Sequence, residues 1–518
     1  MTGGGLLGLI AYGAQNVILS GNPQMTFFYK AFKRYSHFSQ ESITTLMDGP
    51  NELFYDQPIK VRAKIQRSGD LLSDMYFSFR VPDIFSKHLT TSYNRPTQIQ
   101  YQWVRYLGAA IIQNAAFFIG GQKIQEFDGN YMLAKALADY DTDKFDKWRE
   151  LVGDIPELTE PASGLYAGGT NRTGYPTVFQ DSTSPLGGQV NRPSIFGQDI
   201  HVPLSFWFSD FASLALPLVG LQYHECEVQI TLNPIRTLYT LLDVSGYRVA
   251  PDYKMLQSLA LIRNNQPEYV TSGDISGQWR FFATDVGSTI PALNGWFLNP
   301  RIQSTYIYLT EEERHVFAST PLSYMFSQVT NYPFPGLFNR RILDLETHNP
   351  ITRLLFVPRR SDSLLYRNDF GNLTNWWNFP NPPFNPTPNL SAINTSAYSS
   401  GLFIPQGQMD ILRAIRVICD GNEIQEEKPI EYFTKITPWK SLNGKPLKLV
   451  PVYNFALGSP TTQPSGSVNA SRIRNFQVEV DVHPLPVNTN YVYDLNIYVE
   501  NINFLVIEGG MGGLKYAL

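Results

Sequence analysis

The chain has 518 residues, enough for two or three domains that each bury a core of their own. Aromatic residues reach 14% while charged residues stay at 17%, with Gly and Pro spread throughout, which suits many short strands joined by turns and excludes a mainly helical or disordered chain. The net charge of −4 argues against a general nucleic-acid binder, and no segment is long and apolar enough to span a bilayer as a helix. The few charges also point to surface covered by partners, because interface cores are depleted in charge.

The first ten residues are glycine-rich and apolar, and glycine is costly to order alone. They read either as an arm that orders against something else or as a disordered tail. Gly21-Asn22-Pro23 gives a turn, and the aromatic run Thr26 to Tyr35 fits a strand or a short helix equally well. The start lacks the basic region of a secretion signal, so synthesis in the cytosol is expected, with Cys226 and Cys419 as free buried thiols. The basic stretch from Lys30 to Arg67 reads as solvated strand and helix faces.

From Ile59 to Gln66 apolar and polar residues alternate, the pattern of a half-buried strand. Met75 to Val81 resumes a strand after the turn at Ser68-Gly69-Asp70, and Ala109 to Ile119 is apolar enough for a strand covered on both faces. Asp128 to Val152 has helical spacing, and Gly153 to Gly197 reads as a long exposed loop. His201 to Phe208 and Leu221 to Leu232 are strands, Asn233 to about Gly295 looks inserted, and Ile302 to Leu309 closes the first half. Thr310 followed by three glutamates has capping-box spacing, so a short helix to about Ser319 marks the domain junction.

The second half repeats this plan. Strands are expected around Ile342 to Val357, Leu412 to Asp420, Gln477 to Val482 and Tyr491 to Ile507, with a Pro/Asn/Ser-rich loop from Ser361 to Gly401. One motif, G-x-x-I-Q-E, occurs at Gly121–Glu126 and again at Gly421–Glu426, each time after an apolar run and at a similar distance from the start of its half. A separation of 300 residues is too long for a solenoid repeat and fits a duplicated β-domain with different loops.

No catalytic signature emerges: there is no G-x-S-x-G, no P-loop and no H-E-x-x-H, so no catalytic, cofactor-binding or metal-binding residue is assigned. The seven histidines are scattered; His224 and Cys226 are spaced to share a strand face, but two ligands do not make a zinc site. Glu426-Glu427 and Glu311–Glu313 read as solvated or capping acids. Trp376-Trp377 fits a loop tip packed by its own aromatics, with a sugar-stacking platform as the alternative. The sequons at Asn171, Asn372, Asn389 and Asn394 are candidate glycosylation sites, and Asn469 carries a fifth.

Several blocks resemble the major capsid proteins of large icosahedral double-stranded DNA viruses of algae and other protists. They are Ala11–Asn16, Gly21–Phe28 and Arg34-Tyr35; Arg67–Leu72; Tyr306–Ala318; Tyr453–Pro460, Gln463–Gly466 and Asn469–Ile473; and the ending Phe504–Tyr516. Arg474 departs from the pattern, which has an acid after S-R-I, and puts a local salt bridge in doubt. The resemblance implies an all-β chain of two tandem eight-stranded antiparallel jelly rolls with a few short helices in loops. The expected division is an N-terminal arm at 1–24, a first jelly roll at 25–310, a helical linker at 311–322, and a second jelly roll with the tail at 323–518. It further implies a non-enzymatic virion protein without cofactors that forms a homotrimer, a pseudo-hexagonal capsomer, in the host cytoplasm. Its partners would be neighbouring capsomers and minor capsid and penton proteins, with host-receptor or glycan contact through outer loops and no sequence-specific nucleic-acid binding. A lectin-like, carbohydrate-binding β-sandwich is the alternative, and a β-sandwich hydrolase a third class.

Overall fold

The computed structural model describes residues 3–30, 32–85, 88–90, 96–98, 100–161, 179–181, 190–242, 248–251, 277–284, 295–376, 408–444, 450–459, 462–485 and 491–516. The first half builds strands β1 (Phe38–Leu46), β2 (Ile59–Lys64), β3 (Leu71–Arg80), β4 (Ile112–Ile119), β5 (Gln122–Phe127), β6 (Asp199–Pro203), β7 (Cys226–Leu232) and β8 (Arg301–Leu309). They form two antiparallel sheets, in the orders β1-β8-β3-β6 and β2-β7-β4-β5. The second half builds β9 (Leu322–Leu337), β10 (Arg341–Leu345), β11 (Pro350–Arg360), β12 (Leu412–Cys419), β13 (Asn422–Pro429), β14 (Val452–Asn454), β15 (Phe476–Val482) and β16 (Tyr493–Glu508). Its sheets run β9-β16-β11-β14 and β10-β15-β12-β13, the first pair with eight added to every strand number. This is a jelly roll made twice, a double-sheet solution to the problem of exposed edges.

Alternation sets which side of each strand enters the core. In β2, Ile59, Val61 and Ala63 are buried between exposed Lys60, Arg62 and Lys64, and β7 buries Cys226, Val228, Ile230 and Leu232. The duplication extends to irregularities. The β4–β5 hairpin turns through Gly120 and Gly121 at φ of 57° and 81°, and the β12–β13 hairpin through Asp420 and Gly421 at 48° and 79°. Two consecutive positive φ values define the hairpin turn whose twist matches the strands. Both hairpins bulge at the motif isoleucine, Ile124 and Ile424. β3 and β11 each carry a bulge against their central partner, at Ser73 and at Thr352. The bulged hydroxyl answers in the same way in both, Ser73 Oγ donating to the Thr305 carbonyl and Thr352 Oγ1 to the Glu500 carbonyl.

Helices are few. In the arm, α1 (Gly4–Ile10) and α2 (Ala14–Ser20) bury no residue, and the aromatic run at 26–35 forms neither strand nor helix among its described residues. After β5 come α3 (Gly129–Asp139) and α4 (Thr142–Leu151), and between the rolls α5 (Glu311–Ser319). Thr310 makes no side-chain cap on α5, despite the capping-box spacing. Asp70 anchors the linker instead: it accepts from Leu309 N at 2.9 Å and from Arg314 at 2.8 and 3.0 Å.

Two expectations are corrected. The apolar run from Ala109 starts in the helical turn Leu107–Ala110, and within β4 Gln113 is exposed, so this strand is not covered on both faces throughout. The segment from Asn233 is more than an insertion. Tyr239–Leu242 pairs with Gln100–Trp103, and Trp279 and Phe282 pack with Tyr101, Trp103 and Trp296 in a buried aromatic cluster. Both cysteines are buried and unbridged, with burial pushing the thiols up to about 12 at Cys226 and about 11 at Cys419.

Candidate assembly surfaces

The two rolls meet in a seam built from the first roll's β5 and α3 and the second roll's larger sheet. Asp128 starts α3 by accepting from Tyr131 N at 2.8 Å, satisfying one of the helix's free N–H groups. Nine of the eleven α3 residues are then buried, and α3 together with β5 meets the second roll's β9-β16-β11 sheet.

A buried charge network crosses this seam. Arg353, 1% exposed on β11, donates to Asp139 of α3 at 2.6 and 2.7 Å and to Glu500 of β16 at 2.7 and 2.8 Å. Tyr131 donates to Glu500 at 2.8 Å, and Tyr498 donates to Asp128 at 2.7 Å. Arg359 reaches Asn130 at 3.1 Å and the Phe370 carbonyl at 2.6 Å. Gln125 donates to the Ser327 carbonyl at 3.2 Å, and Gln328 answers to the Ile124 carbonyl. Apolar packing fills the rest: Phe326, Leu355, Val357, Leu505 and Ile507 of the second roll belong to the same continuous core as Trp207 and Phe117 of the first. Beside the seam, a cleft of about 610 Å³ runs between β5 and β9, with Asn114, Lys123, Glu126 and Asn331 among the residues on its walls.

The network sets a pH response. Burial alone raises the Asp139 carboxyl, but the Arg353 guanidinium outweighs it and holds the group below its ordinary value. Asp154 is likewise held low, against its burial, by Arg105 at 2.7 and 2.8 Å and Arg149 at 2.8 Å. A carboxylate depressed in the folded state contributes stability above its unfolded value, roughly pH 4, and loses it as pH falls through the folded value. Asp128 and Asp210 are raised, chiefly by burial, so they cost stability at neutral pH and return it as they protonate. The thermal midpoint should therefore hold or rise slightly from pH 7 toward about 5, then fall below about 4. Fluorescence melts across that range check this; a midpoint falling steadily from pH 7 would contradict it.

Elsewhere large apolar groups lie bare. In the arm Phe27 is 91% and Phe28 96% exposed, and Leu6, Leu9, Ile18 and Leu19 are also uncovered. β13 is an edge strand with Ile424 exposed, and after it a π-helical turn, Tyr432–Ile436, leads into α6 (Thr437–Ser441), where Trp439 stands in solvent. Large apolar side chains left this exposed are candidates for contact with other macromolecules.

The residues singled out from sequence fall differently. Asn372 is corrected as a glycosylation site: it is 3% exposed and its Oδ1 accepts from Thr374 N and Oγ1, so the folded chain leaves no room for a sugar. Asn171, Asn389 and Asn394 lie outside the described residues, as do Trp377 and the Trp376 side chain; Asn469 is exposed and caps a turn. His224 and Cys226 do not converge: Cys226 enters the core while His224 Nδ1 sits 3.0 Å from the Gly512 carbonyl. Among the described residues no cluster of three or more His, Cys, Asp or Glu could hold a metal. The Arg353 network was not foreseen; its signal is an arginine at either end of the apolar run Leu354–Val357.

Two family models match, the major capsid protein N-terminus over residues 26–261 and the large eukaryotic DNA virus major capsid protein over residues 313–513. The major capsid protein of Paramecium bursaria Chlorella virus 1 is 26% identical, and that of Phaeocystis pouchetii virus 25% identical, each alignment covering 99% of both chains. Among solved structures, PBCV-1 VP54 superposes with a TM-score of 0.64 at 20% identity, covering 95% of this chain and all of the other. The Faustovirus major capsid protein gives 0.63 at 14% identity, covering 96% and 94%. At these identities the superpositions speak for the shared double jelly roll.

Proposed function

Because the chain belongs to the large eukaryotic DNA virus major capsid proteins, a structural component of the virion shell, we propose that three copies assemble into a pseudo-hexagonal capsomer that tiles an icosahedral capsid. The observation that carries this reading is the pair of rolls with one strand order, fixed to each other by a shared core and the buried Arg353 network. A rigid chain with two equivalent lobes, repeated three times about an axis, presents six lobes, and six-lobed tiles pack into flat arrays. Closed cyclic symmetry makes the trimer contact large and apolar, while contacts between capsomers are smaller and more polar, so that a growing lattice can correct errors.

In this reading the arm, 1–24, lies on the inner side against minor capsid proteins. The rolls at 25–310 and 323–518 stand side by side across the linker at 311–322. The host-facing surface belongs to the loops at 153–197, 233–295 and 361–401 outside their buried parts, which include Asp154, the Tyr239, Trp279 and Phe282 cluster, and Asn372, with Asn171, Asn389 and Asn394 as candidate glycosylation sites. The chain works by assembly and not by catalysis, and it assembles in the host cytoplasm. Light scattering on freshly purified protein tests the central claim. The expected species has about three times the 58.7 kDa chain mass and resists dilution; a clean soluble monomer overturns it.

A further inference from the structure

One bare stretch of the chain has a pattern that neither roll uses. Between residues 25 and 35, the side chains of Met25, Phe27, Phe28, Tyr29, Phe32 and Tyr35 are 69–96% exposed, and the described residues form neither helix nor strand. Lys30, Lys33 and Arg34 are interleaved with them and are exposed as well. The aromatic spacing alone fits either element, but the cations tell the two apart. As a strand, Lys30 and Arg34 would share a face with Phe28 and Phe32, and Lys33 would share one with Phe27, Tyr29 and Tyr35. As a helix, stepping about 100° per residue, the six large apolar side chains fall within an arc of about 200°, and the three cations with Thr26 fill an opposite arc of about 100°.

A short helix with aromatic residues on one face and Lys and Arg on the other matches the chemistry of a bilayer interface. Rings enter the headgroup boundary while the cations meet anionic lipid. Charge singles this stretch out. Residues 1–40 hold three basic residues and no acid in a chain whose net charge is −4, so residues 41–518 sum to −7. An anionic surface therefore attracts this segment and repels the remainder. The arm before it, 1–24, is apolar but has no charged side chain, which leaves it to protein partners.

We infer that residues 25–35 fold into an amphipathic helix on the surface of an anionic phospholipid bilayer. A helix of this length is about 16 Å long, too short to span the hydrocarbon core, so it lies in the plane of the surface. The free chain leaves the stretch without regular structure because nothing covers its rings. The bilayer supplies that cover, and the helix forms as it is supplied. Resting on the capsomer reading, each tile carries three such segments, and three weak contacts made together hold far more tightly than one. Because the rest of the chain is acidic, the same attraction turns the tile so that these segments, and no other face, meet the lipid.

The test takes the full chain, measures its mass by light scattering, and floats it with vesicles of phosphatidylcholine alone or of phosphatidylcholine mixed with phosphatidylserine. Hydrogen exchange is followed at residues 25–35. The expected result is a trimer that binds the mixed vesicles at least about tenfold more tightly than the neutral ones, with these amides protected only when lipid is bound. A trimer that floats with neither kind, or equally with both, overturns this inference and leaves the capsomer reading standing. So does protection already present without lipid, which would assign the stretch to a second copy, or protection that appears only with minor shell proteins. A monomer that binds the mixed vesicles upholds the inference and overturns the capsomer reading. Lys30→Glu with Lys33→Glu and Arg34→Glu should abolish flotation with unchanged far-UV circular dichroism; retained flotation overturns the role of charge. Phe32→Lys with Lys33→Phe keeps composition and charge but sets a cation in the apolar arc, and should weaken binding at least about tenfold. Unchanged binding of that variant overturns the helix.

Discussion

Replacing Arg353 by methionine should lower the stability of the folded chain by about 3–5 kcal/mol, the cost of leaving a buried charge without its partner. Two carboxylates depend on it. Asp139 is bound through both terminal nitrogens, and Glu500 is 1% exposed with Tyr131 as its other donor. Methionine fills the space but neutralises neither, and the guanidinium's own burial is already offset only because both acids face it. Arg353→Lys should fall between, since an ammonium keeps the charge but cannot bind two carboxylates as paired forks. Denaturant titration of the three proteins measures the order. Equal midpoints for Arg353 and methionine would mean the apolar core alone fixes the rolls.

Deleting residues 1–24 should leave the trimer intact and abolish its incorporation into a shell. α1 and α2 bury no residue, and Leu6, Leu9, Ile18 and Leu19 stand in solvent, so the core loses no packing when they go. What disappears is apolar surface available to another protein. Light scattering and co-assembly with minor shell proteins separate the two effects. A truncated protein that turns monomeric would assign the arm to the capsomer instead.

Much of this architecture is legible in sequence wherever it depends on neighbours along the chain. The alternation in Ile59–Lys64 and Cys226–Leu232 gives strand and inward face together, and the repeated G-x-x-I-Q-E marks two hairpins that share turn and bulge. The seam is not legible in this way. Tyr498 meets Asp128 across 370 residues and Arg353 meets Asp139 across 214, and no local period encodes such pairs. The sequon at Asn372 shows the opposite failure. Its three-letter pattern is clear, but burial, which the pattern does not carry, closes the site. The aromatic run at 26–35 resisted a reading because its described residues stay exposed, and periodicity reports only the surface a chain buries on itself.

The last long strand has a consequence for synthesis. β16 lies between β9 and β11 and brings Glu500 to Arg353, so the second roll's larger sheet and the seam both wait for residues 493–508 to leave the ribosome. Until then the first roll offers Trp207, Tyr131 and the α3 face to solvent, an apolar surface with no cover of its own chain yet made. A nascent chain in that state exposes apolar surface open to premature association, and the sixteen-residue strand β16 covers it by completing both the sheet and the seam.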